Sequence, residues 1–346
     1  MFVLKFSKNY GYFALDFLIN PNPAMLDTIK QPINDDLKRF EPYFKEHMST
    51  KVSLLDVITN YIFRRKGKQL RPMIVFLSAG LNGKIGNETY VAAGMIELLH
   101  TATLIHDDVV DEAYERRGFF SINALWRSKV AVLVGDYLLS RGLLVAIENN
   151  QFELLRVMSE AVKEMSEGEL LQIERSRKMN IDEEIYYEII RKKTASLIAS
   201  CCANGAISAG ASVENVALMK EFGTNLGIAF QIRDDLFDYQ PSGVIGKPTG
   251  NDIKEKKLTL PLIYSLSVAE PKESKRILNL IRHNSKKSST ITEVVDFVNR
   301  NGGLDYTIKQ MNSFRDKSLE ILKLFPESEY RKSMELLTNF VVERKK

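Results

Sequence analysis

Two short acidic motifs carry the chemistry that this sequence can do. The first is Asp107-Asp108-Val109-Val110-Asp111, and the second, far later in the chain, is Asp234-Asp235-Leu236-Phe237-Asp238. Each places two adjacent carboxylates and a third one helical turn from the first, because positions i and i+4 lie above one another on a helix. Asp107 and Asp111 can then point into one space, as can Asp234 and Asp238. Both motifs stand among apolar residues, where clustered carboxylates repel one another and lose hydration. A hard cation such as magnesium would hold them ionised, and it is commonly bound by a few carboxylates plus substrate phosphate oxygens. Two such clusters facing each other would hold a diphosphate through bridging ions. Acids at helical spacing are ordinarily a solvated face, but a second copy in the same register favours the chemical reading.

Basic residues stand in separate short groups. Lys68 and Arg71 flank the start of a helix, Arg116 and Arg117 follow the first acidic motif, and Lys193 precedes Thr194 inside an otherwise apolar helical run. They are numerous enough to bind a second diphosphate without metal, through guanidinium forks and ammonium point charges. His100, seven residues before Asp107, shares its helix face and can look into the same cavity, whereas His106 is turned away from its neighbour Asp107. Ala102 and Thr103 lie about one turn below Asp107. Small side chains there leave a channel open beneath the diphosphate, which Phe or Tyr would plug.

The elements that must position these groups read as helices throughout. Apolar spacing predicts helices over 34–45 (with Pro42 a possible division), 54–63, 72–81 and 88–110, the last delivering the first motif near its C-terminal end. The dipole there disfavours anions, which strengthens the case for a cation. A short element at 121–126 precedes an all-round apolar helix over 131–147, which belongs inside a bundle. Helices over 152–173, 181–199 and 213–239 follow, the last ending in the second motif. The stretch 240–258, with Gly243, Gly246, Gly250, Pro248 and Lys247, Lys254, Lys256 and Lys257, is the most loop-like functional segment. Shorter helices complete the chain, over 261–268, 273–281, 291–299, 304–324 and 329–342, with a basic loop at 282–287. No convincing strand pattern occurs, so the fold class is all-α: one domain of many helices with a late satellite of short ones.

At 346 residues and 45% hydrophobic, the chain can bury a large core. A net charge of +4, without a dense basic run or an aromatic-basic alternation, gives no warrant for nucleic-acid binding. The two cysteines, Cys201 and Cys202, are adjacent and fit neither a disulfide framework nor a zinc site, which points to a reducing cytoplasm. Residues 1–20 do not form a convincing signal peptide and read as a tail or short extra helix that could cover an apolar patch, with Met25 an alternative start. No uninterrupted run of eighteen apolar residues occurs, so no spanning helix is expected.

The motifs resemble those of the trans-isoprenyl diphosphate synthases, also called polyprenyl synthetases. The matches are Leu104 to Asp111 with Arg116-Arg117-Gly118, Phe230 to Asp238, Gly67-Lys68-Gln69-Leu70-Arg71-Pro72, Lys193-Thr194-Ala195-Ser196-Leu197, and Gly246-Lys247-Pro248 with Lys257-Leu258-Thr259-Leu260-Pro261. The likeness begins near Pro32, leaving 1–30 as an N-terminal extension and 31–346 as the catalytic domain. It implies a helical bundle around a central cavity, usually a homodimer, condensing isopentenyl diphosphate head-to-tail with an allylic diphosphate such as farnesyl diphosphate.

By the same resemblance, Asp107, Asp111 and Asp234 would hold two or three magnesium ions, with Asp108, Asp235 and Asp238 as further or water-mediated ligands. Arg116, Lys193, Lys247 and Lys257 would grip the allylic diphosphate. Lys68, Arg71, His100 and Arg117 would bind isopentenyl diphosphate. Gln231 would stand beside the allylic substrate, and Thr194 would stabilise developing positive charge. Small residues at Ala102 and Thr103 resemble the long-chain enzymes, implying a C30–C50 product for quinone side chains, its release aided by a membrane that no helix spans. Two departures are visible: Lys66 and Lys256 stand where the family commonly has glycine. A short-chain farnesyl or geranylgeranyl synthase, a terpene cyclase and a non-catalytic helical subunit are the alternatives. The second basic set argues against a cyclase, and the presence of all six aspartates argues against a non-catalytic subunit.

Overall fold

The computed structural model describes residues 23–64, 69–116, 119–239 and 250–344. In chain order the helices are α1 (Pro23–Lys30), α2 (Asn34–Met48), α3 (Ser53–Arg64), α4 (Leu70–Asn82) and α5 (Asn87–Val110). A two-residue antiparallel ladder, β1 (Glu115–Arg116) with β2 (Phe119–Phe120), leads into α6 (Ile122–Glu148) and α7 (Phe152–Lys178). Then come α8 (Glu183–Ile190), a π-helical turn (Arg191–Ala195), α9 (Ser196–Ser208) and α10 (Val213–Phe237). The late helices are α11 (Asn251–Lys254), α12 (Leu260–Val268), α13 (Pro271–Asn284), α14 (Ser288–Arg300), α15 (Gly303–Leu322) and α16 (Glu329–Glu343). Helix starts are set locally: the side chains of Ser121, Asp182, Ser212 and Ser328 each accept from a backbone N–H three residues on.

Two apolar cores share α10. Phe222, Leu226 and Phe230 face the core built with α1–α7, α9 and α16, whereas Ala229, Ile232 and Leu236 face the core of α8 and α11–α15. A helix between two cores is apolar on every side. Its crossing with the preceding segment is unusually close: a Cβ on Gly227 would lie 2.5 Å from Ala195 Cα, and one on Gly223 would lie 2.6 Å from Ala199 Cα. The glycines thereby bring the second acidic helix against the segment carrying Lys193 and Thr194.

Several expected boundaries shift. Pro42 does not divide α2, which continues to Met48. The gap expected between 126 and 131 is a kink at Arg127 (φ 68°, ψ 164°) within α6. The helix expected over 181–199 is interrupted by the π turn, and the expected basic loop at 282–287 starts only after α13 ends at Asn284. α1 buries Leu26 and Ile29 in the first core, so the segment read as an extension ends in a packed helix. Residues 1–22, the tail expectation, lie outside the described residues. Contrary to the expectation of no spanning helix, α6 is long and apolar enough to cross a membrane by length and composition, although charged residues interrupt its apolar run. It packs on α5 along one face, and it exposes Leu125, Val132, Leu133, Leu144 and Ile147 on the other.

Candidate active site

Both acidic motifs occupy the places their spacing predicts. Asp107 and Asp108 lie in the last turn of α5 with Asp111 as its C-cap; Asp234 and Asp235 lie in the last turn of α10 with Asp238 as its C-cap. The carbonyl ends of two helix dipoles disfavour anions, so each motif needs positive charge nearby.

Lys193 supplies it for the first motif. Its side chain is buried, pairs with Glu169 of α7, donates to Gln172 Oε1 at 3.3 Å, and lies within electrostatic reach of Asp107 and Lys257. Burial lowers its pKa and Lys257 adds to this, while Glu169 and Asp107 pull it back up. The π turn holds Lys193 beside Thr194, and such one-turn departures from α-helical register recur at functional sites.

Lys193, Thr194, Gln231, Asp235, Asp252 and Lys257 line one recess, walled by Ile189, Ile190 and Leu258. Thr194 Oγ1 donates to Gln231 Oε1 at 2.8 Å, and Gln231 Nε2 donates to Asp235 Oδ1 at 2.8 Å. Tyr186 Oη donates to Asp235 Oδ2 at 2.7 Å. Burial pushes the Asp235 carboxyl up to about 7, against the two hydrogen bonds, which favour its ionised form. Asp238 accepts from the backbone N–H groups of Asn251 and Asp252, each at 2.9 Å. That fastens α11, and with it the approach to Lys257, which pairs with Glu255 at 2.5 Å. Lys256 adopts a left-handed φ of 60° at the position where the resemblance called for glycine.

Asp234 is ion-paired with Arg344, whose side chain is 1% exposed. The Arg344 guanidinium lies 4.0 Å from the Phe230 ring centroid and donates to Phe230 O, while Arg233 donates through Nε and Nη2 to Arg344 O. The end of α16 is thus clasped onto the second motif.

The expected second basic set is only partly in view. Arg71 is buried and grips Glu97 of α5 through two nitrogens, at 2.9 and 3.1 Å. His100, one turn beyond Glu97, is also buried. Lys68, Arg117 and Lys247 lie outside the described residues, as does the side chain of Arg116. His106 turns toward Asp136 of α6, 3.4 Å away, as its position beside Asp107 required. Ala102 is closed into the first core at 1% exposed, whereas Thr103 is half-buried. Among the described residues, no three His, Cys, Asp or Glu side chains form a ready-made metal cage. An oxygen-only set split between two helix ends fits a hard cation whose remaining ligands come from substrate phosphate.

Sequence reasoning missed Glu169, Gln172, Tyr186 and Arg344. The first two sit at ordinary surface-type positions of a long helix. Tyr186 and Arg344 meet partners 49 and 110 residues away, with no local signal.

With this geometry in view, comparisons with known proteins agree in one direction. A family model described as polyprenyl synthetase matches residues 52–298. The octaprenyl diphosphate synthase of Escherichia coli K12 is 34% identical over 320 residues, covering 92% of this chain and 99% of that one. The crystal structure of a decaprenyl diphosphate synthase from Rhodobacter capsulatus superposes with a TM-score of 0.87 at 33% identity, covering 92% of this chain and 99% of that one. A polyprenyl synthase from Caulobacter crescentus CB15, solved with calcium and isoprenyl diphosphate, gives a TM-score of 0.83 at 32% identity, with 92% and 98% coverage.

Proposed function

Because the chain belongs to the polyprenyl synthetase family, we propose that it condenses isopentenyl diphosphate head-to-tail with an allylic diphosphate, giving a long-chain all-trans polyprenyl diphosphate. The observation that carries this reading is the position of Lys193. Its buried side chain lines the recess with Gln231, Asp235 and Lys257 and feels the charge of Asp107, which supports reading motifs remote in sequence as parts of one site.

Asp107, Asp111 and Asp234 are the residues that would hold magnesium. Asp235 and Asp238 already accept two protein hydrogen bonds each, which suits them to buttress the site. Asp234 is a place where positive charge is already accommodated, by Arg344. When bound, magnesium neutralises the leaving diphosphate; the calcium and isoprenyl diphosphate in the Caulobacter crescentus structure support a divalent ion here.

Lys193 and Lys257, with Arg116 and Lys247, draw negative charge off the allylic diphosphate as its carbon–oxygen bond breaks. Thr194 presents its oxygen lone pairs to the allylic cation, aimed by Gln231 as it accepts the Thr194 hydroxyl proton, while Ile189, Ile190 and Leu258 keep water away from it. Lys68, Arg71, His100 and Arg117 hold isopentenyl diphosphate so that its terminal alkene forms the new carbon–carbon bond. The proton lost in closing the new double bond passes to the released diphosphate.

The purified Asp107→Ala and Asp234→Asn variants test this. Each is expected to melt as a folded protein and to lose condensation by several orders of magnitude; full activity in either refutes the assignment. The outward apolar face of α6 supports a homodimer, with a second copy of the chain covering Leu133 and its neighbours. Light scattering is expected to give twice the chain mass, and Leu133→Glu to reduce it.

A further inference from the structure

Resting on that function, we propose that Tyr186 is a positioning residue for the condensation, acting through Asp235 to fix which way the Gln231 amide and the Thr194 hydroxyl face. No part of the family comparison assigns Tyr186 a role, and it lies outside both acidic motifs.

A glutamine side chain is nearly symmetric in shape, so its orientation has to be set by what its two ends meet. Asp235 settles one end. A carboxylate only accepts, so its Oδ1, 2.8 Å from Gln231, takes the amide NH2 and turns Gln231 Oε1 the other way. That oxygen then takes the Thr194 hydroxyl proton at 2.8 Å, which directs the lone pairs of Thr194 Oγ1 away from Gln231. Both the remaining amide N–H and those lone pairs belong to residues lining the recess. The order of the chain therefore depends on the Asp235 carboxylate staying in one rotamer.

Tyr186 Oη holds that rotamer by donating to the second oxygen, Oδ2, at 2.7 Å. The ring is itself fixed. Tyr186 is 3% exposed, and it packs edge-on against Tyr187, which lies 5.5 Å from Phe314 of α15. All four side chains of the relay are buried, so water is a poor substitute for any of them. Tyr186 also borders the recess, but its hydroxyl is committed to the Asp235 carboxylate, and its influence on the relay runs through that bond.

The test is a double-mutant cycle of Tyr186→Phe and Gln231→Ala, read as turnover number and KM for each diphosphate. Tyr186→Phe is expected to lower turnover about tenfold, as loss of one hydrogen bond to a buried charge does. Each KM should stay within about twofold. In the Gln231→Ala background the same change is expected to cost nothing further, since the group it positions is gone. An unchanged turnover, an effect on KM alone, or an additive loss in the double variant overturns the proposal. Where Tyr186→Phe does not fold, Tyr186→Leu, which removes the same hydroxyl donor, takes its place in the cycle with the same deciding outcomes. Wild-type protein that forms no condensation product under these conditions refutes the function itself, which separates the two failures.

Discussion

Gly227→Ala probes how the fold creates the site. The added Cβ would lie 2.5 Å from Ala195 Cα and 2.7 Å from Ala195 Cβ, where carbon contacts settle at about 3.5–4.0 Å. α10 and the π turn must then separate by about 1 Å. The Thr194–Gln231 hydrogen bond starts at 2.8 Å, so that separation takes it beyond the useful range, about 3.2–3.5 Å. Overpacking costs about 1–3 kcal/mol and the lost hydrogen bond about 1, offset by about 1 from alanine's better helix propensity. The net loss is about 1–3 kcal/mol in urea unfolding, and a 1 Å misplacement of reacting groups lowers turnover about a hundredfold. Gly223→Ala is the control: its Cβ would lie 2.6 Å from Ala199 Cα, a similar clash one turn further from Gln231. It is expected to lose similar stability and far less turnover. Wild-type turnover in Gly227→Ala, or equal slowing in Gly223→Ala, refutes the idea that this crossing sets the pair.

Three other perturbations address separate parts of the molecule. Thr103→Phe sets a ring into the half-buried wall one turn before Asp107 and is expected to shorten the product; an unchanged length on reversed-phase chromatography places the stop elsewhere. Arg344→Ala removes the buried end of the ion pair with Asp234 and is expected to cost about 3–5 kcal/mol, partly restored by magnesium binding the same carboxylate. Urea midpoints that are equal in variant and wild type contradict this. Lys256→Gly relieves a left-handed φ of 60° that costs an L-residue about 1–2 kcal/mol, against about 0.4–1 kcal/mol of extra chain entropy when unfolded. Its melting temperature is expected to rise slightly, and a fall of several degrees would show that the lysine side chain, which donates to Arg282 O at 2.7 Å, contributes more than the strain removes.

What was legible in the sequence was local. The i, i+4 carboxylates announced themselves because helical geometry brings them together whatever else the chain does, and the lysine of Lys193-Thr194 stood out as a charge in an apolar run. Even the odd residue at Lys256 could be marked in advance, although only the backbone shows that it takes the conformation a glycine would. The π turn was hidden because α9, which follows it, is buried on nearly every side, so the one-residue shift in the apolar repeat leaves no mark. Arg344 and Tyr186 were hidden for a different reason: each ends in a partner from another helix, brought near by the packing of two cores on α10. Ala102 and Thr103 looked equivalent as small residues below Asp107, yet one faces the packed core and the other does not, and a step of one residue on a helix is a rotation of about 100°.

Incubation of purified protein with farnesyl diphosphate, isopentenyl diphosphate and magnesium, followed by sizing of the dephosphorylated products, tests the central claim most directly. The two acidic helix ends and the shared Lys193 site predict strictly isopentenyl-dependent, chelator-sensitive formation of all-trans alcohols longer than geranylgeraniol. Hydrocarbon release without isopentenyl diphosphate, or no elongation at all, would contradict it.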